Sequence, residues 1–489
     1  MKHEKLSQAL NEVRDEYIHE AANKKHRNHA PWVGAVAAVL ALVILAGILL
    51  RPHSSQDPVA SLEAQPTEST YPTFNTANLA KFQIARPVYP VMLKRPTDEF
   101  PDYEVYNAWW DSTREIHDQP QGYGDVMQDY FKTVTPAILA DSSNPNPVCS
   151  PTNIYMALAM LAETADGETR QELLDFLGVD TIDGLRELAG HIWNGHYWDD
   201  GVTTSILGSS LWLDELYKHN PECAEALAKY YYASSFSGDL GTEEMNKALQ
   251  NWLNEQTGGL LEEHANAIEL DPLTVFALAS TIYYKVPWTS EFSERRNTEQ
   301  TFHGKNETVT ATFMNQTFHG NPYYWGEGYG AVSLHLEDGS KMWLILPNEG
   351  VDTNAVMQSD DLWNMLYTPY SNQKQMKIYL SVPKFKVDAS MELKDLLGNI
   401  GLSTTMGNNA DFSNLIPESE LEVGSVAHAA TVEIDEEGVA AAAFTVIEVR
   451  DAGVMVNPEE IDFVLDRPFI FIIQSSDGLP LFAGVVNQL

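Results

Sequence analysis

Residues 431–469 read TVEIDEEGVAAAAFTVIEVRDAGVMVNPEEIDFVLDRPF, and this stretch decides the fold of the 489-residue chain. It opens with strand-like alternation and reaches Gly438, which is followed by Val439, four alanines and the run FTVI at 444–447. No charged residue occurs from 438 to 447, and no proline from 418 to 456. The stretch therefore lacks the polarity and the prolines of an ordinary surface loop.

A helix is the first alternative for this stretch, because alanine favours helices. Here β-branched residues flank the alanines on both sides, and no amphipathic face forms. A segment that enters a sheet explains the composition better. Proline would delete a hydrogen bond of the ladder, and a charge on the buried face would be costly.

Helical spacing of apolar residues precedes strand-like runs along the chain. The predicted helices are 125–139, 154–165 and 169–177. The predicted strands are 281–285, 342–346, 377–382 and 469–473. Early helices followed by strands predict an α+β fold, because a parallel α/β protein would alternate the two regularly.

The chain is strongly acidic, with 30 basic and 69 acidic residues and a formal net charge of −39. All of this negative charge lies after residue 50, because residues 1–50 carry six basic and five acidic residues. The charge argues against nucleic acid as a partner and against docking on anionic lipid. Two cysteines, Cys149 and Cys223, exclude a disulfide scaffold and a four-cysteine zinc site. We interpret them as two buried thiols, with a single bridge as the alternative.

Catalytic signatures are absent from the sequence, which contains no Gly-x-Ser-x-Gly, no His-Glu-x-x-His and no Cys-x-x-Cys. The glycines of residues 326–330 do not open a helix as a dinucleotide loop would, and they predict a turn or a strand. His303 and His428 adjoin strand-like sequence and are interpreted as core histidines. We expect a protein that is not an enzyme and that needs no cofactor and no metal ion.

Residues 33–50, VGAVAAVLALVILAGILL, predict a membrane-spanning helix. They contain no charge, and a helix of that length reaches about 27 Å, close to the hydrocarbon thickness of a bilayer. Trp32 stands at one edge, and three basic residues at 24–27 place the N-terminus in the cytoplasm. A cleaved signal peptide and a buried helix are the alternatives. The leader is long and acidic for a signal peptide, and no small-x-small site follows Leu50.

These patterns predict five regions and a location. The regions are a cytoplasmic segment (1–30), a transmembrane helix (31–50), a disordered tether (51–76), an irregular extension that packs on the next domain (77–119), and a folded domain (120–489). We therefore expect a single-pass protein of the cell membrane whose large domain lies outside the cell.

The alanine-rich stretch resembles the hinge of the reactive-centre loop in serpins, protease inhibitors that trap their target by loop insertion. The family pattern is an acidic residue, a variable residue, Gly, a small residue and an alanine run that ends in Thr. The matching residues are Glu436, Glu437, Gly438, Val439, Ala440, Ala441, Ala442, Ala443, Phe444 and Thr445. Val439, where Thr or Ser is usual, and Phe444, within the alanine run, depart from the pattern.

Further motifs follow in family order over residues 120–489. They are 146–154 (NPVCSPTNI), Trp252 with 257–259 (TGG), the spaced run YKVPW…F…T…F at 284–302, 383–384 (PK), 410–413 (ADFS), His428, 467–469 (RPF) and 481–484 (LFAG). Each motif is weak alone, but the ordered set is typical of serpins. The membrane anchor is unusual for the family and suggests a surface-tethered bacterial member.

The resemblance implies the serpin fold, with three β-sheets, eight to nine helices and an exposed reactive-centre loop. It also implies a suicide mechanism, in which a serine protease cuts the loop and is trapped as an acyl-enzyme when the loop inserts into the main sheet. The expected protein is a monomer with a serine protease as partner. A non-inhibitory serpin acting as a binding or structural scaffold is the alternative. An unrelated adhesin or hydrolase fits the motif order poorly.

The family's usual spacing from Gly438 places the cleaved bond between Ala452 and Gly453. A small residue there suits elastase-like or subtilisin-like proteases. Arg450 would suit a trypsin-like protease, and Met455 is a third position. The loop is longer than the family pattern predicts, so the three positions stay open.

The resemblance also assigns residues that support insertion. The central polar cluster is expected to comprise Ser150, Asn153, Ser280 and His428, with Asn153 and Ser280 exchanging the Ser and Asn of the commoner pattern. Trp288 and Lys384 belong to the upper end of the main sheet, where Lys384 is expected to pair with Glu436. Strand alternation predicts that Val439 and Ala441 face inward after insertion and that Ala440 and Ala442 face outward.

Overall fold

The computed structural model describes residues 76–98, 101–140, 144–417, 421–439 and 459–489. The predicted cytoplasmic segment, membrane helix and tether lie outside these residues, apart from Thr76. The hinge residues 440–445 and the candidate cleavage positions Arg450, Ala452–Gly453 and Met455 also lie outside them. Within the described ranges, no helix is long and apolar enough to cross a membrane.

Eleven α-helices occur in the described residues, and polar side chains cap the first turn of most of them. They are α1 (Tyr103–His117), α2 (Gln128–Leu139), α3 (Pro151–Thr164), α4 (Gly167–Phe176), α5 (Ile182–His196), α6 (Pro221–Tyr230), α7 (Glu243–Gln256), α8 (Glu262–Asn266), α9 (Thr353–Met357), α10 (Asp360–Tyr367) and α11 (Lys394–Ile400). At α3 the Ser150 side chain accepts a hydrogen bond from the Asn153 N–H, and Pro151 occupies the first helical position. Both features favour a helix start.

Seventeen strands occur in the same residues. They are β1 (Gln83–Ala85), β2 (Val148–Cys149), β3 (Trp198–Asp199), β4 (Thr204–Asp214), β5 (Ala233–Gly238), β6 (Phe276–Pro287), β7 (Thr298–His303), β8 (Thr308–Gly326), β9 (Tyr329–His335), β10 (Lys341–Pro347), β11 (Gln373–Pro383), β12 (Phe385–Glu392), β13 (Ala427–Ile434), β14 (Gly438–Val439), β15 (Glu460–Val464), β16 (Phe469–Gln474) and β17 (Pro480–Val486).

The described strands form two hydrogen-bonded sheets. The main sheet has the order β1-β5-β4-β6-β14-β13-β12, with β3 on β4. The second has the order β15-β11-β8-β9-β10-β16-β17-β2, with β7 on β8. In β16 and β17 every residue is buried, because helices and the neighbouring sheet cover both faces.

The predicted α+β class is confirmed, as is each predicted helix and strand, with ends shifted by a few residues. The counts differ from the expected eight to nine helices and three sheets. Two of the eleven helices, α8 and α9, have only five residues each, too few for a periodic pattern. The sheet count falls because the 19-residue strand β8 pairs with β7, β11 and β9 and joins two ladders into one.

The extension before residue 120 packs on the folded domain, but it is not irregular throughout. Strand β1 pairs with β5 at the edge of the main sheet, and α1 begins at the capping side chain of Asp102. The Tyr89 ring stacks on Trp193 with 5.0 Å between centroids. Arg95 forms an ion pair of 2.8 Å with Glu337, between β9 and β10. The prolines that precede Tyr103 make the extension look irregular in sequence, so helix α1 was not predicted.

Three smaller predictions have clear outcomes. Cys149 and Cys223 are both free and buried, as interpreted, and burial raises the pKa of the Cys223 thiol to about 12. Gly326 pairs with Tyr329 to close the β8–β9 hairpin, which confirms the predicted turn. His428 is buried, but His303 is exposed at the end of β7, so its interpretation as a core histidine was wrong.

Candidate functional site: the hinge and the main sheet

A tight turn at residues 435–438 joins β13 to β14. We call these four residues the hinge turn. The Asp435 side chain accepts hydrogen bonds from the backbone N–H groups of Glu437 (2.9 Å) and Gly438 (3.2 Å). The Asp435 N–H in turn donates to the Gly438 carbonyl at 3.2 Å. An Asp at the first position of a turn makes such bonds readily, so the turn is fixed locally.

Trp288 anchors the hinge turn from the end of β6. Its backbone N–H donates to the Glu437 carbonyl at 2.8 Å, and its indole N–H donates to the Asp435 carbonyl at 2.9 Å. The side chain is 1% exposed and makes an edge contact with Phe292. A buried ring with its polar atom satisfied is a rigid support. The structure therefore brings Trp288 to the hinge.

Strand β14 lies between β6 and β13. Val439 is opposite Val286 of β6 and opposite Ile434 of β13. All three residues are at most 2% exposed, so their side chains share the inner, buried face of the sheet. β14 is antiparallel to both neighbours, which makes β6 and β13 parallel to each other.

Beyond Val439, no ladder joins β6 directly to β13 in the part of the chain that the structure describes. Residues of both strands instead line one small cavity of about 20 Å³. The lining from β6 is Thr281, Ile282 and Tyr284, and that from β13 is Ala429, Ala430 and Thr431. We call this interval between the two strands the slot. A strand continuing from Val439 in the direction of β14 would run along it.

Gly438 is the one hinge position where close backbone contact requires glycine. A Cβ atom there would lie 2.3 Å from the Val286 carbonyl oxygen and 2.7 Å from the Pro287 Cα. These are backbone atoms of β6 and have no flexible end that can yield. Any side chain at 438 would therefore push β14 away from β6.

The predicted contact between Lys384 and Glu436 is present. The Lys384 Nζ lies 2.6 Å from the Glu436 Oε2, and the side chains are 37% and 8% exposed. The Asn297 side-chain amide donates to the other carboxylate oxygen of Glu436. Burial works to raise the pKa of Glu436, but the hydrogen bonds from Lys384 and Asn297 outweigh it and hold the pKa below its ordinary value. Glu436 is therefore a buried, fully paired carboxylate.

Asn297 was not identified from the sequence. It lies 139 positions from Glu436 in the chain and directly precedes Thr298, a residue of the family-like run at 284–302. The adjacent motif residue Thr298 is the only feature of the sequence that points to Asn297. A residue between the 3-10 turn Glu294–Arg296 and β7 has no periodicity that would reveal its partner.

The four predicted residues of the central polar cluster come together near the middle of the main sheet. The Ser150 N–H donates to Nε2 of His428 at 3.1 Å. The Asn153 amide donates to the Ser280 carbonyl at 3.1 Å, and the Ser280 hydroxyl donates to the Asn153 side-chain oxygen. The exchange of Asn and Ser thus still links α3 to β6.

His428 carries a pH dependence that can be measured. Burial lowers the pKa of His428 from 6.5 to about 4. Between these two pH values the imidazole is mostly neutral in the folded protein and mostly protonated in the unfolded chain. A folded pKa below the unfolded one gives stability that is complete above pH 6.5 and is lost as the pH falls toward 4. Between pH 7.5 and pH 5 we expect the free energy of unfolding to drop by about 2 kcal/mol from this group alone.

Urea unfolding of wild type and His428→Gln at the two pH values checks this expectation. The variant should be less stable at pH 7.5, because the Ser150 N–H loses its acceptor, but its stability should fall less on acidification. His303→Gln, at the exposed histidine, should keep the wild-type pH dependence. Equal pH dependence in all three proteins would contradict the assignment.

A metal site does not emerge from the same residues. In the ranges that the structure describes, no group of three or more His, Cys, Asp or Glu side chains could hold a metal ion. The chemistry of the hinge region is instead that of a paired carboxylate, a buried indole and a strand poised beside the slot.

Comparisons with known proteins identify a family model and relatives that this chain resembles. A family model described as serpin (serine protease inhibitor) matches residues 127–489. Serpin-ZX of Arabidopsis thaliana is 26% identical over 368 residues, covering 71% of this chain and 92% of that protein. A serpin-like protein of Thermococcus kodakarensis is 29% identical over 358 residues, covering 70% and 80%.

A solved structure agrees in fold. The native state of the thermophilic serpin tengpin superposes with a TM-score of 0.65 at 23% identity, covering 82% of this chain and 98% of that one. The family model spans well over half of the chain and includes the hinge turn, β6, β13 and the polar cluster. The chain therefore belongs to the serpin family of serine protease inhibitors.

Proposed function

We propose that this protein is a surface-tethered suicide inhibitor of serine proteases. The observation that carries the proposal is the slot: β6 and β13 flank it, and β14 already occupies its upper end. A cut loop that continued β14 would add a central strand to the main sheet. The four residues after Val439 are alanines, and Phe444 after them is also uncharged. A strand that enters a packed sheet requires residues without charge and without proline.

The proposed reaction starts as ordinary proteolysis. The protease serine oxygen attacks the carbonyl carbon of the residue before the cut, the peptide bond breaks, and the amine of the next residue leaves. The acyl ester then links the protease to the new chain end. Insertion of the loop before water attacks the ester carries the protease along and distorts its active site.

Insertion supplies enough free energy for this work. About a dozen residues gaining net backbone hydrogen bonds at about 1 kcal/mol each release on the order of 10 kcal/mol. That amount equals the usual stability margin of a whole domain. The uncut protein is then a metastable state, with Trp288, Lys384 and Glu436 among the groups that hold its hinge turn in place.

The proposed cleaved bond is Ala452–Gly453, with elastase-like or subtilisin-like proteases as targets. Arg450 is the second candidate, for a trypsin-like protease, and Met455 the third. The apolar run at 33–50 is proposed to anchor the chain in the cell membrane, with residues 51–76 as the tether and the inhibitor domain outside the cell.

Incubation of the full-length protein with one protease of each class tests the function. We expect a complex that survives SDS and has the mass of the protease plus the chain up to the cut. The mass of the released C-terminal fragment identifies the bond. A protease whose active serine is blocked should form no such complex. Cleavage without a stable complex, or no reaction with any of them, would point to a non-inhibitory scaffold.

A further inference from the structure

Helix α1 of the extension carries an exposed aromatic stripe beside its packed face. Tyr103, Tyr106 and Trp110 are spaced three and four residues apart, so they lie on one stripe of the helix. They are 77%, 41% and 49% exposed. Trp109 and Thr113, which are 4% and 3% exposed, lie next to the stripe and hold the helix to the domain. The Tyr106 and Trp110 rings contact the Trp109 ring, with 5.4 and 6.0 Å between centroids, and their other sides are exposed.

The chemistry of the stripe is that of a membrane interface. Tyr and Trp combine an apolar ring with a polar edge, and both are enriched where hydrocarbon meets the lipid headgroups. Arg114 continues the stripe one turn after Trp110, with 68% of its side chain exposed beside Asp111. A long cationic side chain at such a place can extend to a lipid phosphate while its stem lies on the apolar surface.

The proposed anchor limits how far this helix can lie from a bilayer. The apolar run ends at residue 50, and the description resumes at residue 76, so 25 residues separate them. A chain of 25 residues spans at most about 90 Å. Attachment through so short a segment raises the effective concentration of the stripe at the lipid surface, so weak attraction per ring suffices.

We propose that the aromatic stripe of α1 docks on the interface of the membrane in which the chain is anchored. The inference rests on the anchor proposed above. The partner is a zwitterionic lipid surface, because the net charge of −39 repels anionic headgroups. Docking would hold the inhibitor domain in one orientation relative to the bilayer.

Tryptophan quenching in vesicles of brominated phosphatidylcholine tests this, with the full-length protein reconstituted. Bromine quenches only indoles that contact lipid, so each quenched component disappears when its Trp is replaced by Phe. Trp110→Phe reports the docking and Trp32→Phe reports the anchor. Trp325→Phe is the matched control, because Trp325 is 40% exposed and lies at the end of β8.

We expect losses of quenching in Trp32→Phe and in Trp110→Phe, and none in Trp325→Phe. A loss confined to Trp32→Phe would keep the anchor and overturn the docking. No loss in either would overturn both. A Trp110 emission that shifts with protein concentration, or on addition of a polysaccharide, without quenching by lipid, would assign the stripe to a second copy or a glycan and overturn the proposal.

A second pair of variants separates docking from chance contact of one ring. The double variant Tyr103→Ser and Tyr106→Ser should reduce the Trp110 component at least twofold, because the stripe inserts as a unit. Tyr217→Ser, at a ring that is 38% exposed elsewhere on the domain, should leave it unchanged. An unchanged Trp110 component in the double variant would contradict insertion of the stripe.

Discussion

Ala441→Arg is expected to convert the inhibitor into a substrate of its own target. The reason follows from the register of β14. If the strand continues from Val439, Ala441 arrives opposite Tyr284 of β6 and Val432 of β13. Both of these residues are 2% exposed and lie on the inner face. A guanidinium at 441 would therefore enter a packed face. The nearest carboxylate beyond Tyr284 is that of Asp338, and it already accepts hydrogen bonds from the Tyr284 and Ser340 hydroxyls.

The outcome depends on a race between insertion and hydrolysis of the acyl ester. A rise of about 1.4 kcal/mol in the insertion barrier slows that step tenfold, and an unpaired buried charge costs more than this. The variant should be cut at the wild-type bond at the wild-type rate. It should yield at least tenfold less SDS-stable complex and show no rise in melting temperature after cleavage.

Ala442→Arg is the matched control, since it introduces the same charge one residue along. Continuation of the register places Ala442 opposite Tyr283 and Thr431, both of which are half-buried on the other face of the sheet. An arginine there can extend toward solvent, so trapping should remain within a few-fold of wild type. Equal trapping by the two variants would contradict insertion along the slot.

The local part of the site could be predicted from the sequence, and the long-range part only through the family resemblance. Alternation before Gly438 and the small residues after it are local patterns, and they predict strand β13 and the entry of β14. The pairing of Lys384 with Glu436 joins residues 52 positions apart, which no periodicity encodes. The ordered motifs indicated that contact. Asn297 lies within the run at 284–302 but is not one of its pattern residues, so the motifs did not indicate it.

The packing of the extension is a second feature that could not be predicted from the sequence. Helix α1 has large apolar residues both on its packed face (Trp109) and beside it (Tyr106 and Trp110), so its periodicity does not separate the packed residues from the exposed ones. Only the packing of Trp109 and Thr113 against the domain distinguishes the held face from the aromatic stripe. Sheet topology was likewise beyond the sequence, because the length of β8 decides whether two ladders or one are formed.

Glu436→Lys is expected to release the hinge turn. In the wild type the Lys384 Nζ and the Glu436 Oε2 lie 2.6 Å apart, and the Glu436 side chain is 8% exposed. The variant places a second ammonium group at that buried position, next to Lys384. Removing one partner of a buried pair costs about 3–5 kcal/mol, and the partial exposure of Lys384 reduces the expected loss of unfolding free energy to about 2 kcal/mol. Urea unfolding followed by tryptophan emission measures the loss, and Trp288 beside the turn reports it locally.

Two further variants decide whether the effect belongs to this pair. The exchange of both partners, Lys384→Glu with Glu436→Lys, restores opposite charges and should recover more than half of the lost stability. Glu433→Lys makes the same charge change three residues earlier, in β13, where the Lys386 Nζ and the Glu433 Oε2 lie 3.7 Å apart and the side chains are 57% and 51% exposed. An exposed pair contributes about 0–1 kcal/mol, so that variant should lose little. If Glu433→Lys is as damaging as Glu436→Lys, net charge and not the buried pair sets the stability of the hinge turn.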